Sequence, residues 1–294
     1  MRIAMHRIAS LALVLFLLAG GKTFRSAKVP QQVHRTSAAP HRARTYLGFD
    51  RNDYPGDSAL ASLRRTFAFC GYWLNAPPGE NRNTWRGKRG ILHAHGFGFL
   101  VLFNGRLDKE LKAVRYAKRL GARDAAAAVQ AAHAEGFSPA TIIFIDQEEG
   151  GRMLPEQIAY LDSWIDAVNA SGYRAGIYCS GIPAEESAGN KIITANDIHS
   201  RARGRKIRFF IYNDACPPSP GCAFPPQPPP PQQSGIPFAT AWQFAQSPQR
   251  IELTASCPRK YNPDGNCYAP LPAGNRKIFV DVDSATSPDP SAAR

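Results

Sequence analysis

Thr141–Gly151 reads TIIFIDQEEGG: five apolar or β-branched residues run into Asp146, Gln147, Glu148 and Glu149, and two glycines end the run. A short apolar run bounded by turn residues reads as a buried strand. An unpaired charge inside a core is costly, so a strand that ends in acids opens into a wet cleft. Side chains alternate along a strand, which puts Asp146 and Glu148 on one face and Glu149 on the other. At a rise of ~3.3 Å per residue their backbones lie roughly 6–7 Å apart, a workable spacing for two carboxylates flanking a glycosidic bond.

Seven further segments have strand character and surround this one. They are Tyr46–Asp50, Phe67–Leu74, Gly98–Phe103, Tyr173–Ser180, Phe209–Asn213, Ala239–Phe244 and Ile278–Asp283. Between them lie helical patterns. Leu107, Leu111, Val114 and Leu120 mark one helix, and alanine-rich Asp124–Glu135 marks a second, capped at Gly136. A third follows the acidic strand, with Pro155 and Glu156 in its first turn and an apolar face from Ile158 to Val168. Strands alternating with helices over about 240 residues predict an α/β fold, a single (β/α)8 TIM-type barrel that tolerates irregularity. Acids or amides sit near several strand ends: Asp50, Asn75, Asn104, Asp146 with Glu148, Asn213, Gln243, and Asp281 with Asp283. A barrel gathers those ends on one face, where such enzymes place their active sites.

The chain has 294 residues and a formal net charge of +13, which invites a nucleic-acid reading. Residues 1–45, however, hold eight of its Lys and Arg and no acid, so the remainder carries only 28 − 23 = +5. No basic stripe interleaves with stacking aromatics, and nucleic acid is not an expected partner. Arg2 and Arg7 followed by Ile8–Ala19 have the charge and apolar core of a secretory signal peptide, with cleavage after Gly21. The apolar run is shorter than the ~20 residues that span a bilayer. Export to the cell envelope or beyond is therefore expected, without stable membrane insertion after cleavage; an uncleaved anchor is the alternative. Residues 22–45 read as a basic flexible linker, 46–286 as the barrel, and 287–294 as a loose tail. Within the barrel, residues 216–237 hold ten prolines and read as an exposed insertion.

Six cysteines are an even number, which in an exported chain suggests disulfides. Proximity favours Cys216–Cys222 and Cys257–Cys267, while Cys70 and Cys179 pair or stay as buried thiols. No CxxC pair or histidine cluster supports a metal site, and His93 with His95 lacks a third ligand. No glycine-rich phosphate loop is present. No cofactor is expected.

Four segments in order carry a resemblance: GFDRNDYPG (Gly48–Gly56), IDQEEG (Ile145–Gly150), AWQFAQ (Ala241–Gln246) and VDVDSA (Val280–Ala285). The chain resembles the exported glycoside-hydrolase-like domain known as domain of unknown function 1906, which is similar in fold to the lysozymes of glycoside hydrolase family 25. That resemblance implies a modified TIM-type barrel acting on peptidoglycan or a related amino-sugar polymer. It implies Glu148 as general acid and Asp146 as the group that orients the substrate's acetamido or steadies oxocarbenium-like charge. Asp50 and Asp281 (or Asp283) would bond sugar hydroxyls or tune the acid, and Gln243 would bind substrate, with Trp242 in the core. Tyr178 and Tyr212 are candidate sugar-contacting residues. The opening RNDYPG lacks the family's Gln-Gly, and the consecutive Glu148 and Glu149 leave open which one faces inward. The alternative function is a non-catalytic carbohydrate-binding or scaffolding module of the envelope on the same barrel.

Overall fold

The computed structural model describes residues 44–213, 224–246, 268–272 and 277–292. The expected leader, and Cys216, Cys222, Cys257 and Cys267, lie outside the described residues. Cys70 and Cys179 are both buried, free thiols. Among the described residues no helix is long and apolar enough to cross a membrane.

In chain order the elements begin with β1 (Tyr46–Asp50), α1 (Leu60–Arg64), β2 (Phe69–Trp73), α2 (Arg89–Ala94) and β3 (Gly98–Asn104). There follow α3 (Asp108–Leu111), α4 (Val114–Ala134), β4 (Ile142–Gln147), α5 (Pro155–Ala170) and β5 (Arg174–Ser180). A small hairpin of β6 (Ala184–Ser187) and β7 (Asn190–Ile192) leads to α6 (Thr194–Arg201), β8 (Ile207–Tyr212), β9 (Ala239–Ala245) and β10 (Asp281–Ala285). Eight strands close a barrel in the order β1-β10-β9-β8-β5-β4-β3-β2. Each expected strand is in it, the last shifted toward the C-terminus.

The barrel is mixed rather than all-parallel. β10 runs antiparallel to both β1 and β9, whereas the other neighbouring pairs are parallel. Because β10 descends where β9 ascends, the last residues of β9 and the first of β10 lie at the same end of the barrel. Asp281 therefore begins its strand yet sits opposite Asp50, the last residue of β1.

Three local expectations are corrected. The leucine pattern and the alanine-rich segment do not form two helices meeting near Asp124. The break falls at Lys112, whose φ is 58°, and α4 runs unbroken through a buried Asp124. That carboxylate is tolerated because Arg106 Nε (2.8 Å) and the Tyr160 hydroxyl (3.1 Å) both donate to it. Residues 287–292 are not a loose tail. β3 starts before β4, their register beginning at Val101 with Ile143, which leaves β3 backbone groups without a strand partner. The tail fills the gap. Asp289 Oδ1 accepts from Phe99 N and Ser291 Oγ from Val101 N, while the Ser291 backbone bonds Phe99 O and Ile142 N. The described part of the proline-rich insertion is also packed: Pro228 accepts from Thr45 Oγ1 at 2.6 Å, and Phe224 meets Phe67 edge-on.

The two long helices meet at Gly121 of α4, where an added Cβ would stand 2.2 Å from the Tyr160 carbonyl oxygen of α5. Helix propensity favours alanine over glycine by about 1 kcal/mol, but overpacking costs about 1–3 kcal/mol. Gly121→Ala should therefore lower the urea midpoint. A raised midpoint would show that the helices can separate freely.

Candidate functional site

The ends of β1, β4, β5, β9 and the start of β10 surround a narrow cavity of about 60 Å³. Asp50, Asp146, Glu148, Tyr178, Gln243 and Asp281 line it, with Trp73, Leu102 and Phe210 as its apolar wall. Six of the eight residues singled out in the sequence thus come together. Asp283 and Tyr212 are not on the lining. Asp146, within β4, and Glu148, one residue past it, share the cavity.

A hydrogen-bonded chain crosses the floor. The Tyr178 hydroxyl donates to Gln243 Oε1 (2.9 Å), as does Gln246 Nε2 (3.1 Å), and Gln243 Nε2 donates to Asp50 Oδ2 (2.9 Å). Two donors on the carbonyl oxygen thus orient the carboxamide so that its N–H meets the carboxylate. Gly71 of β2 makes room for this acid, since an added Cβ would lie 2.5 Å from Asp50 Cβ. Trp242, one residue away on the opposite face of β9, is buried and donates Nε1 to Asn213 O, a core role.

Asp283 lies deeper, opposite Gly48 and Gln243 in the ladders, with no solvent exposure. Neither of its oxygens has an N–H or hydroxyl donor in reach; the group it meets is the carboxyl of Asp50. Two carboxyls bond only when one keeps a proton. Burial, then the charges of Asp50 and Asp281, hold the Asp283 carboxyl well above the usual range. Burial also raises Asp50, to about 6, with the bonds from Gln243 and Asp283 pulling it back. Asp283 is thus the neutral donor beneath Asp50 rather than a group at the cavity surface.

The two consecutive glutamates separate cleanly. Glu149 Oε2 accepts from the backbone N–H of Asp108 (2.8 Å) and from Gln157 Nε2 (2.7 Å), which ties it to α3 and α5. Glu148 is the one on the cavity. Tyr212 donates its hydroxyl to the Glu148 carbonyl oxygen at 2.7 Å. It supports the backbone beneath the glutamate.

A larger groove of about 490 Å³ adjoins on the other side of Asp146 and Glu148. Asn75, Asn104 and Arg106 line it. Asn75 and Asn104 exchange side-chain-to-backbone bonds that prolong the β2–β3 pairing (3.0 and 2.8 Å). Arg106 is braced by Asp124 and by Glu110 (3.0 Å). Sequence reasoning placed Asn75 and Asn104 at strand ends but missed Arg106 and Gln246. Gln246 follows Gln243 by three residues inside AWQFAQ; Arg106 directly follows the Asn104-Gly105 turn. No three His, Cys, Asp or Glu side chains gather as a metal-holding group among the described residues.

Among curated proteins none matches the chain. A solved, uncharacterized protein of B. stearothermophilus is similar over 82% of this chain and 95% of its own, at 18% identity and a TM-score of 0.51, a likeness of fold. The Mycobacterium tuberculosis Tat-secreted protein Rv2525c is similar at 14% identity over 84% of this chain and 97% of its own, with a TM-score of 0.47. The catalytic domain of endolysin ply40, from bacteriophage P40 of Listeria monocytogenes, has 14% identity over 83% and 94%, with a TM-score of 0.46. Residues 72–207 match the model of the Rv2525c-like, glycoside hydrolase-like domain. Over those residues, somewhat less than half of the chain, it is similar to a glycoside hydrolase-like domain of the Rv2525c-like kind.

Proposed function

We propose that the chain is an exported glycoside hydrolase that cleaves peptidoglycan or a related amino-sugar polymer, with Glu148 as its general acid. The observation that carries this reading is the division of labour at the end of β4. Glu148 faces the cavity beside Asp146, Asp50 and Asp281, while Glu149 is bound elsewhere. In this reading Glu148 gives its proton to the glycosidic oxygen as the bond to the anomeric carbon breaks. The same carboxylate then takes a proton from the water that adds to that carbon, so one water is consumed and the acid is regenerated. Asp146 orients the substrate's acetamido group, whose oxygen serves as internal nucleophile, or steadies positive charge at the anomeric carbon; substrate assistance is a recognised departure from the two-carboxylate scheme. Asp281 and the Asp50–Gln243–Tyr178 chain hold sugar hydroxyls. The narrow cavity takes the polar edge of one sugar, and the 490 Å³ groove takes the polymer beyond it.

Release of reducing ends from purified peptidoglycan tests the assignment. The parent chain should release them, and Glu148→Gln should lower the rate by roughly a hundredfold or more. Equal release from both would remove Glu148 from the role. No release from either, with sedimentation on the polymer, would instead favour a binding module.

The buried acids also set a pH dependence. Asp50 titrates at about 6 when folded, against an ordinary 3.8, so the folded chain holds more protons than the unfolded one between those values. Its contribution to stability is greatest below about 4 and falls as pH rises to 6, by up to on the order of 3 kcal/mol, and stays lost above that. Asp283→Asn supplies a permanent N–H donor to Asp50 and should flatten this loss. Thermal midpoints of both chains from pH 4 to 8 would check it; parallel curves would contradict a shared proton.

A further inference from the structure

Among the described residues no hydrogen bond or ion pair holds the Glu148 carboxylate. It lies one residue past β4, so no strand ladder fixes it either. Its aim into the cavity has to come from the backbone on either side. On its own residue, the carbonyl is held by the Tyr212 hydroxyl. On the next residue, one oxygen of Glu149 takes two donors: Asp108 N–H from the start of α3, and the amide of Gln157 from α5. Gln157 is buried, and its own Oε1 accepts from Leu154 N at 2.8 Å, so the bridge ends on a rigid support. The Asp108 side is equally fixed, because Gly105 packs so close that an added Cβ would lie 2.4 Å from the Asp146 carbonyl oxygen. Arg106 and Leu107 stand between these points, with Glu110 bonded to both.

We propose that Glu149 is the positioning residue for Glu148: by bridging Asp108 N–H and Gln157 it locks the turn after β4 and holds Glu148 in the cleft beside the Arg106 groove. This rests on the hydrolase reading for its kinetic consequence, but not for its geometry. Glu149 touches neither cavity and does no chemistry itself. Its contribution is orientation, where a displacement of about 1 Å costs on the order of a hundredfold in rate.

The test compares Glu149→Ala with Glu149→Gln. Alanine removes the bridge and the charge; glutamine removes the charge but keeps an acceptor oxygen for Asp108 N–H. Two readouts are needed: kcat and KM on peptidoglycan, and the carbon-detected NMR titration of the Glu148 carboxyl, assigned by its loss in Glu148→Gln. Alanine should lower kcat by roughly tenfold to a hundredfold with KM within about twofold, and change both the shift and midpoint of Glu148. Glutamine should recover most of kcat, and its Glu148 resonance should move only in midpoint, as loss of a neighbouring charge requires. Equal effects of the two variants on Glu148 would overturn the proposal, because charge alone would then explain them. A loss of melting temperature with unchanged kcat and unchanged Glu148 resonance would also overturn it. If the unsubstituted chain turns over no substrate, the hydrolase reading fails, and the titration still decides the positioning role.

Discussion

Asp50 and Asp283 lie side by side inside the wall of the barrel, where β1 meets the reversed strand β10. Two ionised carboxylates there would repel in a medium poor in water, at a cost of several kcal/mol. The pair survives because one proton is kept between them and because Gln243 supplies a donor to Asp50. The rest of the cleft depends on this arrangement. Gln243 is oriented by the acid it donates to, Tyr178 and Gln246 by the oxygen Gln243 turns toward them, and Asp281 by the ladder that sets it opposite Asp50.

The reversal of β10 makes that seam. In a parallel barrel an acid at the start of a strand would lie at the end remote from the cleft. Descending, β10 brings its first residue to the cleft and its third to a position beneath, so one strand provides both a surface acid and a buried one. The pair is then shielded by the glycines that flank it: Gly71 admits the Asp50 side chain, and Gly48 across from Asp283 has Phe69 packed over it. A site built on strands in this way is more rigid than one on loops. Glu148 is the exception, standing just beyond its strand and relying on the turn that follows.

Much of this was legible in the residue order. Strand runs ending in Asp50, Asp146 and Gln243 announced a shared face, since apolar runs that stop at acids have few other places to go. The start of α5 at Pro155 and the ends of α4 and α5 near Gly136 and Gly172 follow from which residues tolerate those backbone angles. What was hidden depends on contacts between distant segments. Nothing in VDVDSA says that its strand runs backwards, because periodicity has no direction. The Ser/Ala/Pro-rich end looked loose because composition does not reveal that β3 begins before β4 and needs partners from residues 289–291. Alternation put Glu149 on the other face from Glu148; that it ties α3 to α5 follows from Asp108 and Gln157, residues far apart in sequence. Tyr212 likewise reads as a sugar contact until its hydroxyl is found on the Glu148 carbonyl.

The shared proton is open to direct observation. A carbon-detected NMR titration of aspartate-labelled chain, with Asp50 and Asp283 assigned by their Asn variants, would follow both carboxyls from pH 4 to 8. Asp50 should titrate near 6, while Asp283 keeps its proton well above the usual carboxylate range. Two independent titrations near 4 would rule out a shared proton, and with it this means of holding the cleft together.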